Sequence, residues 1–149
     1  MIYDENRLIL VSCMVVNDFG EILLLHRKDH DHYETPGGKV SEKDLSPESK
    51  EITEDVLRRA AIRELREEVG EYVKIGALEL FVNGHEFNIP DGRKAVVYKF
   101  VTHYKVGLPR IMEPDKFDRF DWIPIRRIER YNVSPDLKDL SERIKAELI

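Results

Sequence analysis

Apolar residues in this chain are concentrated in a few short runs, and charged or polar stretches separate these runs. Residues 7–16 are almost continuously apolar and rich in Leu and Val, and residues 21–28 contain the apolar run Ile-Leu-Leu-Leu at positions 22–25. Both patterns are typical of buried strands. The turn-forming residues 17–20 connect the two runs, so we predict a β-hairpin at this position. Further strand-like runs occupy residues 72–83, 94–104 and 120–125.

Two other segments repeat their apolar residues at the spacing of an α-helix. The first is predicted to run from about residue 54 to residue 69 and to end at Gly70, because glycine readily adopts the positive φ of a C-terminal cap. The second begins at Ser134-Pro135 and continues to about residue 147, since Ser is a good cap and Pro suits the first turn.

The order of these elements is two strands, a helix, three strands and a helix, with no internal repeat and no evident linker. A mixed succession of this kind predicts an α/β protein in which helices cover both faces of a central sheet. The length of 149 residues suits a single domain, which we place at residues 1–149.

Composition and net charge limit the kinds of binding partner that this protein is expected to have. The formal net charge is −5, which argues against bulk electrostatic binding of nucleic acid but allows a single nucleotide that arrives with metal ions. The one cysteine, Cys13, lies in an apolar run and is expected to be a buried thiol. Neither a signal peptide nor a membrane span is visible, so a cytoplasmic protein without a membrane partner is expected. The oligomeric state is open, with a homodimer as one candidate.

The predicted helix over residues 54–69 carries more carboxylates than a solvated helix face explains. At 100° per residue, Glu68 falls at the edge of the apolar arc and Glu64 lies just beyond it. The two are four residues apart, and like charges at this spacing cost about 0.2–0.5 kcal/mol in water. A divalent cation removes this conflict, because carboxylate oxygens are preferred ligands of Mg²⁺. The alternative is a surface helix whose glutamates are neutralised by Arg63 and Arg66.

The loop that precedes this helix adds a second signal. Its sequence PGGK, residues 36–39, lets a main-chain carbonyl approach a metal or main-chain amides face a phosphate. The loop and the segment RELREEVG, residues 63–70, together resemble the signature of the Nudix hydrolases, which reads Gly, five residues, Glu, seven residues, Arg-Glu-apolar-any-Glu-Glu-any-Gly-apolar. The fixed positions of this signature are filled by Gly38, Arg63, Glu64, Leu65, Glu67, Glu68 and Gly70.

Three departures from the signature are visible. Counted back from Arg63, Asp55 stands where the signature has its first Glu, and the adjacent Glu54 is an alternative. Gly38 and Asp55 are 17 positions apart instead of six, so about 11 residues are inserted, and Glu71 follows Gly70 in place of an apolar residue. We expect the insertion, residues 41–53, to be a surface elaboration rather than a lid. A short helix is predicted to begin within it at Ser46.

The resemblance implies a Nudix-type α/β/α sandwich and a hydrolase that uses Mg²⁺ or Mn²⁺ to cleave a nucleoside diphosphate linked to a group X. It further implies that Glu64 and Glu68 are the principal metal ligands, that Glu67 ligates the metal or takes a proton from water, and that Arg63 orients the glutamates. The Gly37 carbonyl is a further candidate metal ligand. Gly38, Lys39 and Arg27 are candidates for contact with the phosphates, although Lys39 and Arg27 could instead be plain surface cations. Tyr33 and Phe87 are candidates for the lining of the nucleotide pocket.

A second resemblance concerns the substrate. Residues 113–128, EPDKFDRFDWIPIRRI, are similar to a segment of the MutT-like nucleoside triphosphate pyrophosphohydrolases, in which a distal glutamate reaches the metal site. Glu113 is therefore a further candidate ligand. We expect Trp122 to pack in the core rather than to stack on a base. The five histidines lack the spacing of a zinc site.

Three functional hypotheses follow from these resemblances. The leading one is hydrolysis of a nucleoside triphosphate to a nucleoside monophosphate and pyrophosphate. The second is the same chemistry on ADP-ribose, a dinucleoside polyphosphate or another nucleotide conjugate. The third is a non-catalytic Nudix module that binds nucleotides. The intact Glu64, Glu67 and Glu68 speak against this third hypothesis, since a binding module has no need for three mutually repelling carboxylates.

Overall fold

The computed structural model describes residues 3–4, 6–89 and 91–148. Its helices and strands are β1 Tyr3–Asp4, β2 Arg7–Val16, β3 Glu21–Arg27, β4 His32–Glu34, β5 Gly37–Lys39, α1 Glu54–Val69, β6 Lys74–Ile75, β7 Glu79–Asn88, β8 Lys94–Val106, β9 Phe117–Pro124 and α2 Pro135–Glu147. Two short 3₁₀ segments, Glu42–Asp44 and Ile125–Arg130, complete the description.

The strands form one mixed sheet whose main order is β4-β3-β2-β8-β6. The two long central strands, β2 and β8, run parallel and pair from Arg7↔Lys94 to Val16↔His103. The other pairings are antiparallel, with β1 and β5 on β2, β7 on β8, and β9 on β3. The parallel pair is possible because the long connection through α1 carries the chain back across the sheet.

Alternate residues of the central strands face opposite sides of the sheet and build two separate cores. Ile9, Val11 and Cys13 of β2 pack with the apolar face of α1. Met14 of the same strand and Ile22 of β3 pack on the other side with α2. The predicted α/β/α sandwich with a mixed central sheet is therefore confirmed.

The two long helices begin and end where their sequence patterns predict. At the start of α1, the Thr53 side chain accepts a hydrogen bond from the Val56 amide, and Gly70 ends the helix with a φ of 90°. In α2, Pro135 occupies the first turn, and Leu137 and Ile144 are buried against the sheet. Among the helices of the described residues, none is long and apolar enough to cross a membrane.

The structure corrects the predictions in two segments. The predicted strand over residues 72–83 is two strands, because residues 76–78 leave the ladder before β7 begins. No helix begins at Ser46, which instead forms an isolated bridge with Ser49. The Ser46 hydroxyl accepts a hydrogen bond from the Glu48 amide in a local turn. The following residues 48–51 are exposed, so a helix there would have no apolar face to bury.

Two expectations about single side chains are confirmed. Cys13 is fully buried, and burial raises the pKa of its thiol to about 12, so the thiol stays protonated at neutral pH. The Trp122 ring contacts the Tyr104 ring edge-on, with 5.0 Å between the ring centroids, and packs against the core on the α1 side of the sheet. Trp122 is thus a packing residue.

Candidate active site

A cavity of about 800 Å³ opens beside β5 and the carboxylates of α1, a size that suits a small-molecule ligand. The structure brings most of the sequence-predicted site residues to this cavity. Those that line it are Arg27, Gly37, Gly38, Lys39, Glu64, Glu68 and Phe87.

The two glycines of the loop are needed because other atoms occupy the space of a side chain. β5 pairs with β2 so closely that a Cβ at Gly37 would lie 2.2 Å from the carbonyl oxygen of Val11. A Cβ at Gly38 would lie 2.6 Å from the carboxyl carbon of Glu64. Both distances are shorter than real Cβ contacts, so any larger residue at Gly38 would displace the Glu64 carboxylate.

Glu68 is the most deeply buried carboxylate of α1, with only 2% of the residue exposed. Its Oε1 accepts a hydrogen bond of 2.9 Å from the Gly37 amide. Burial raises the pKa of Glu68 to about 9, and the nearby negative charges of Glu64, Glu34 and Glu113 act in the same direction. Ionised Glu68 therefore needs a positive charge beside it, which a divalent cation would provide.

Glu64 and Glu67 lie closer to solvent than Glu68. Glu64 is largely buried, and burial raises the pKa of its carboxyl group even though Arg63 opposes this rise. The Glu67 side chain is 44% exposed and lies at the rim, within 3.5 Å of the Lys43 ammonium. The accessible carboxylate of Glu67 is thus free to contact water, as its predicted role requires.

Arg63 connects the glutamates to the glycine loop. Its guanidinium donates to Glu64 Oε1 at 2.9 Å and to Glu67 Oε2 at 3.1 Å, and it also donates to the carbonyl oxygen of Lys39 at 3.1 Å. On its other side, Nε and Nη2 each donate to one carboxylate oxygen of Asp44 at 2.8 Å. This two-point contact is the strongest geometry for an arginine and a carboxylate.

Asp44 is the acidic partner of Arg63 and was missed in the sequence. It is 4% exposed. Burial alone would raise its pKa, but the hydrogen bonds from Arg63 outweigh this effect and lower it. The same contact raises the pKa of Arg63.

The two acids proposed from the sequence have a different partner. Glu54 and Asp55 bind Arg58 at 2.6 Å and 2.9 Å. Counted forward from Gly38 instead of back from Arg63, the spacing of the first Glu in the signature falls on Asp44, six positions after Gly38. Asp44 therefore lies inside residues 41–53, the segment that was interpreted as the insertion.

This placement divides the insertion into two parts. The 3₁₀ segment Glu42–Asp44 docks on α1, where the Arg59 guanidinium donates to the carbonyl oxygen of Asp44 at 3.1 Å. Residues 48–51 are exposed, as a surface elaboration requires. The first part of the insertion thus supports the glutamates through Arg63, and the surface role remains a prediction for the second part only.

Two further acidic residues approach Glu68 from outside α1. The amides of Arg110 and Met112 donate to the carbonyl oxygens of Val69 and Glu68, so the chain runs along the end of the helix and brings Glu113 near the site. Glu34, which no sequence motif marks as a site residue, lines the cavity from β4. Its carboxylate lies 3.0 Å from the ring of His32 and 3.3 Å from the Arg27 guanidinium.

Tyr33 is one of four predicted site residues that do not line the cavity, with Arg63, Glu67 and Glu113. Its hydroxyl donates to Asp121 at 2.6 Å, and its ring contacts the Tyr131 ring edge-on at 6.1 Å between centroids. Successive residues of a strand face opposite sides, so Glu34 faces the cavity while Tyr33 packs against the core beside α2. The prediction that Tyr33 lines the nucleotide pocket is therefore wrong.

The donor set fits a hard divalent cation, although the site is not formed in advance. In the described residues, no three acidic, histidine or cysteine side chains converge tightly enough to hold a metal ion by themselves. Glu64 and Glu67 are instead held by Arg63. The fit rests on the buried Glu68 and on the oxygen donors around it, which are the ligand type that Mg²⁺ and Mn²⁺ take.

Comparison with known families identifies this arrangement. The model of the NUDIX domain family matches residues 7–144 of the chain. The chain therefore belongs to the Nudix family, and its enzyme class is that of the Nudix hydrolases, as the sequence predicted. Comparison with curated protein sequences gives no significant match.

Solved structures with the same fold cover nearly the whole chain. A MutT NUDIX hydrolase from Burkholderia pseudomallei is 25% identical with a TM-score of 0.66, and the match covers 97% of this chain and 99% of the other. A MutT protein from Methanosarcina mazei Go1 is 22% identical with a TM-score of 0.72 and 98% coverage of both chains. An Ap4A hydrolase from C. elegans is 15% identical with a TM-score of 0.67, covering 93% and 96%. The last two similarities concern the fold alone.

Proposed function

We propose that this protein is a Mg²⁺- or Mn²⁺-dependent pyrophosphohydrolase that converts a nucleoside triphosphate to a nucleoside monophosphate and pyrophosphate. The observation that carries the proposal is the buried carboxylate of Glu68, held by the Gly37 amide at the cavity wall. Burial raises the pKa of this carboxyl group, and the carboxylates around it add to the rise. Such a group is costly unless a cation binds there. A triphosphate chain is the kind of ligand that brings one.

Glu68 and the side chains around it would have different roles in hydrolysis. Glu64 and Glu68 would hold the cation, with the Gly37 carbonyl and Glu113 as further oxygen ligands. The bound cation supplies charge neutralisation of the phosphates and a more acidic water. Glu67, at the solvent-exposed rim, would ligate as well or accept the proton of the attacking water.

Arg63 and the cations of the cavity would position these groups. Arg63 holds Glu64 and Glu67 from one side and is itself fixed by Asp44, so the carboxylates keep their places when the charge of the site changes. Lys39 and Arg27 line the cavity and would contact the phosphates, with Gly38 allowing a close approach. Catalysis of phosphoryl transfer depends mainly on such positioning and charge neutralisation.

A substrate panel scored by its phosphorus products tests this function. Purified protein with Mg²⁺ is incubated with nucleoside triphosphates, ADP-ribose and dinucleoside polyphosphates, and products are identified by ³¹P NMR. We expect pyrophosphate from the triphosphates. Faster cleavage of ADP-ribose or a dinucleoside polyphosphate would select the alternative Nudix chemistry. Tight nucleotide binding without any product would instead indicate a non-catalytic module.

The small-molecule nucleotide partner, the cytoplasmic location and the homodimer are further proposals. Light scattering of the purified protein with and without nucleotide tests the oligomeric state. Fluorescent tagging in cells tests the location.

A further inference from the structure

His26, near the end of β3, is a buried histidine with a carboxylate at each nitrogen of its ring. Only 7% of the residue is exposed. Its Nδ1 lies 2.9 Å from Asp118 Oδ1, and its Nε2 lies 2.9 Å from Asp31 Oδ1. We term these three residues the His26 cluster. None of them lines the cavity, so the cluster is separate from the groups assigned to hydrolysis.

The distances in the His26 cluster require a proton on both ring nitrogens. An ionised carboxylate can only accept hydrogen bonds, and a neutral imidazole ring has only one N–H group. The side chain of Asp31 is 90% exposed and that of Asp118 is 39% exposed. Desolvation opposes the ionisation of Asp118, but the hydrogen bond from His26 outweighs this effect and lowers the pKa of Asp118. The contacts therefore belong to the imidazolium ion of His26 between two carboxylates.

Charged and titratable groups from three elements surround the His26 ring. Asp31 belongs to the connection between β3 and β4, and Asp118 belongs to β9. Tyr33 of β4 contacts the ring edge-on, with 5.0 Å between the ring centroids. Arg119 of β9 is the ladder partner of His26, and its guanidinium pairs with Asp118 at 3.3 Å. Loss of the charge on His26 would thus affect the contacts to Asp31 and Asp118 most directly.

The His26 cluster ties the loop between β3 and β4, residues 28–31, to the neighbouring strand β9. Asp31 has a positive φ of 46°, a conformation that Asp tolerates but that surrounding contacts must maintain. Its carboxylate is held by His26, and its carbonyl oxygen accepts from the Asn132 side chain at 2.5 Å. At the start of the loop, the Lys28 amide donates to the carbonyl oxygen of Lys116 at 2.9 Å. The contact between the loop and His26 is one that depends on protonation.

This loop also forms part of the cavity wall. His30 within the loop and His32 directly after it both line the cavity, and their ring centroids lie 5.3 Å apart. Arg27, directly before the loop, lines the cavity as well and donates to Asp29 of the loop at 2.8 Å. Imidazole and guanidinium N–H groups suit an anionic ligand. The position of the loop thus sets the positions of three side chains that a substrate would meet.

We propose that His26 is a positioning residue of the active site, an inference that rests on the proposed nucleotide hydrolysis. As an imidazolium ion, His26 holds the loop against β9 and so keeps His30 and His32 at the cavity. When the ring loses a proton to solvent, a nitrogen lone pair faces one of the two carboxylates, this contact becomes repulsive, and the loop is released. Histidine is the side chain that most often changes its charge near neutral pH. Substrate affinity should therefore weaken when the His26 ring becomes neutral.

NMR of the protein without substrate tests the cluster directly. Long-range ¹H–¹⁵N spectra show at each pH whether both nitrogens of the His26 ring are protonated. ¹³C relaxation of the Cα atoms of residues 28–31 measures the order of the loop without relying on exchangeable protons. We expect the loop to be ordered while the ring is doubly protonated and to become mobile at the pH at which the ring loses a proton. A ring with only one protonated nitrogen at every pH would overturn the inference.

Two variants and one matched control connect the loop to turnover. His26→Gln carries no charge at any pH. In Asp118→Asn, the side-chain amide can donate to the lone pair of a neutral His26 ring, so the loop should stay ordered on both sides of the titration. His103→Gln is the control, because His103 also binds an aspartate, Asp18 at 2.7 Å, but its side chain is 58% exposed.

The KM and kcat for the nucleoside triphosphate that is cleaved fastest are measured with Mg²⁺ below and above the titration of the His26 ring. Substrate and metal ligands titrate as well, so each KM is divided by that of the wild type at the same pH. For His26→Gln this ratio should be at least about fivefold below the titration and near one above it. For Asp118→Asn it should be near one below the titration and about fivefold lower above it. The kcat of each variant should stay within about twofold of the wild type, and the control should match the wild type throughout.

The outcomes separate this inference from the proposed reaction. A KM ratio for His26→Gln that is the same on both sides of the titration would show that His26 only supports the fold, and a loss confined to kcat would also overturn the inference. If His26→Gln does not fold, the KM ratio of Asp118→Asn decides. If the wild type hydrolyses no nucleotide, the proposed function fails, and the NMR measurements still decide whether His26 holds the loop. If hydrolysis occurs and the order of the loop does not follow the charge of the ring, only the inference fails.

Discussion

Replacing Asp44 by Asn tests how the catalytic helix is supported. The change keeps the size of the side chain but removes the charge that receives two hydrogen bonds of 2.8 Å from Arg63. Hydrogen bonds to a charged group contribute about 1.5–3 kcal/mol each to stability. Arg63 retains Glu64, Glu67 and the Lys39 carbonyl, so we expect a total loss of about 2–3 kcal/mol. At roughly 2–4 °C per kcal/mol for a chain of this size, the Tm should fall by about 4–12 °C.

Asp55→Asn is the matched control for this variant. Asp55 is an aspartate in the first turn of α1 that binds Arg58 at 2.9 Å, but its side chain is 79% exposed, and exposed pairs contribute little. Thermal and urea unfolding of both variants, with kcat/KM for the preferred nucleotide, provide the comparison. We expect Asp44→Asn to lower both stability and activity, because released Arg63 no longer fixes Glu64, and Asp55→Asn to change neither substantially. Equal effects of the two substitutions would refute the assignment of Asp44.

Three further predictions concern the carboxylates and the insertion. The folded-state pKa of Glu68 is raised to about 9, so the metal-free protein should lose stability as the pH rises from about 4.5 to 9. The rise in Tm that Mg²⁺ induces should grow over this pH range in the wild type but not in Glu68→Gln. Thermal unfolding at several pH values, with and without Mg²⁺, measures both effects. Glu67→Gln should lower kcat by at least ~10² with little change in the Tm; turnover near that of the wild type would move the general base elsewhere. Deletion of the exposed residues 48–51 should leave kcat/KM within a few-fold for every substrate, and a change in substrate preference above about tenfold would show that they act as a lid.

The fold could be predicted from the sequence where local pattern and burial agree. The continuous apolar runs of β2 and β3 lie in the centre of the sheet, and the period of α1 together with Gly70 locates both ends of that helix. Prediction failed where burial, rather than local propensity, decides the structure. Ser46-Pro47 is a good helix start by composition, but the residues after it have no apolar surface to pack.

The candidate site was predictable where it coincides with the signature, and only in part elsewhere. Glu64 and Glu68 follow from helix geometry. The contact of Asp44 with Arg63 spans 19 positions of the chain, and that of Lys99 with Asp136 spans 37 positions. No local sequence pattern encodes contacts at such separations. Lys99 in particular has the composition of an exposed strand residue, and only the pairing of β8 with β2 shows that it is buried beneath the cavity.

The most direct test of the central claim is the Mg²⁺ dependence of pyrophosphate release from a nucleoside triphosphate by the wild type and by the Glu64→Gln/Glu68→Gln double variant. Gln is close to Glu in size and removes the ionisable groups of the site, so the variant should fold without metal, and circular dichroism and the Tm in EDTA serve as controls. We predict pyrophosphate release that requires Mg²⁺ in the wild type and falls by at least ~10³ in the variant, the scale of a lost metal site. Pyrophosphate release at similar rates in both proteins, or release that is indifferent to EDTA, would contradict the account.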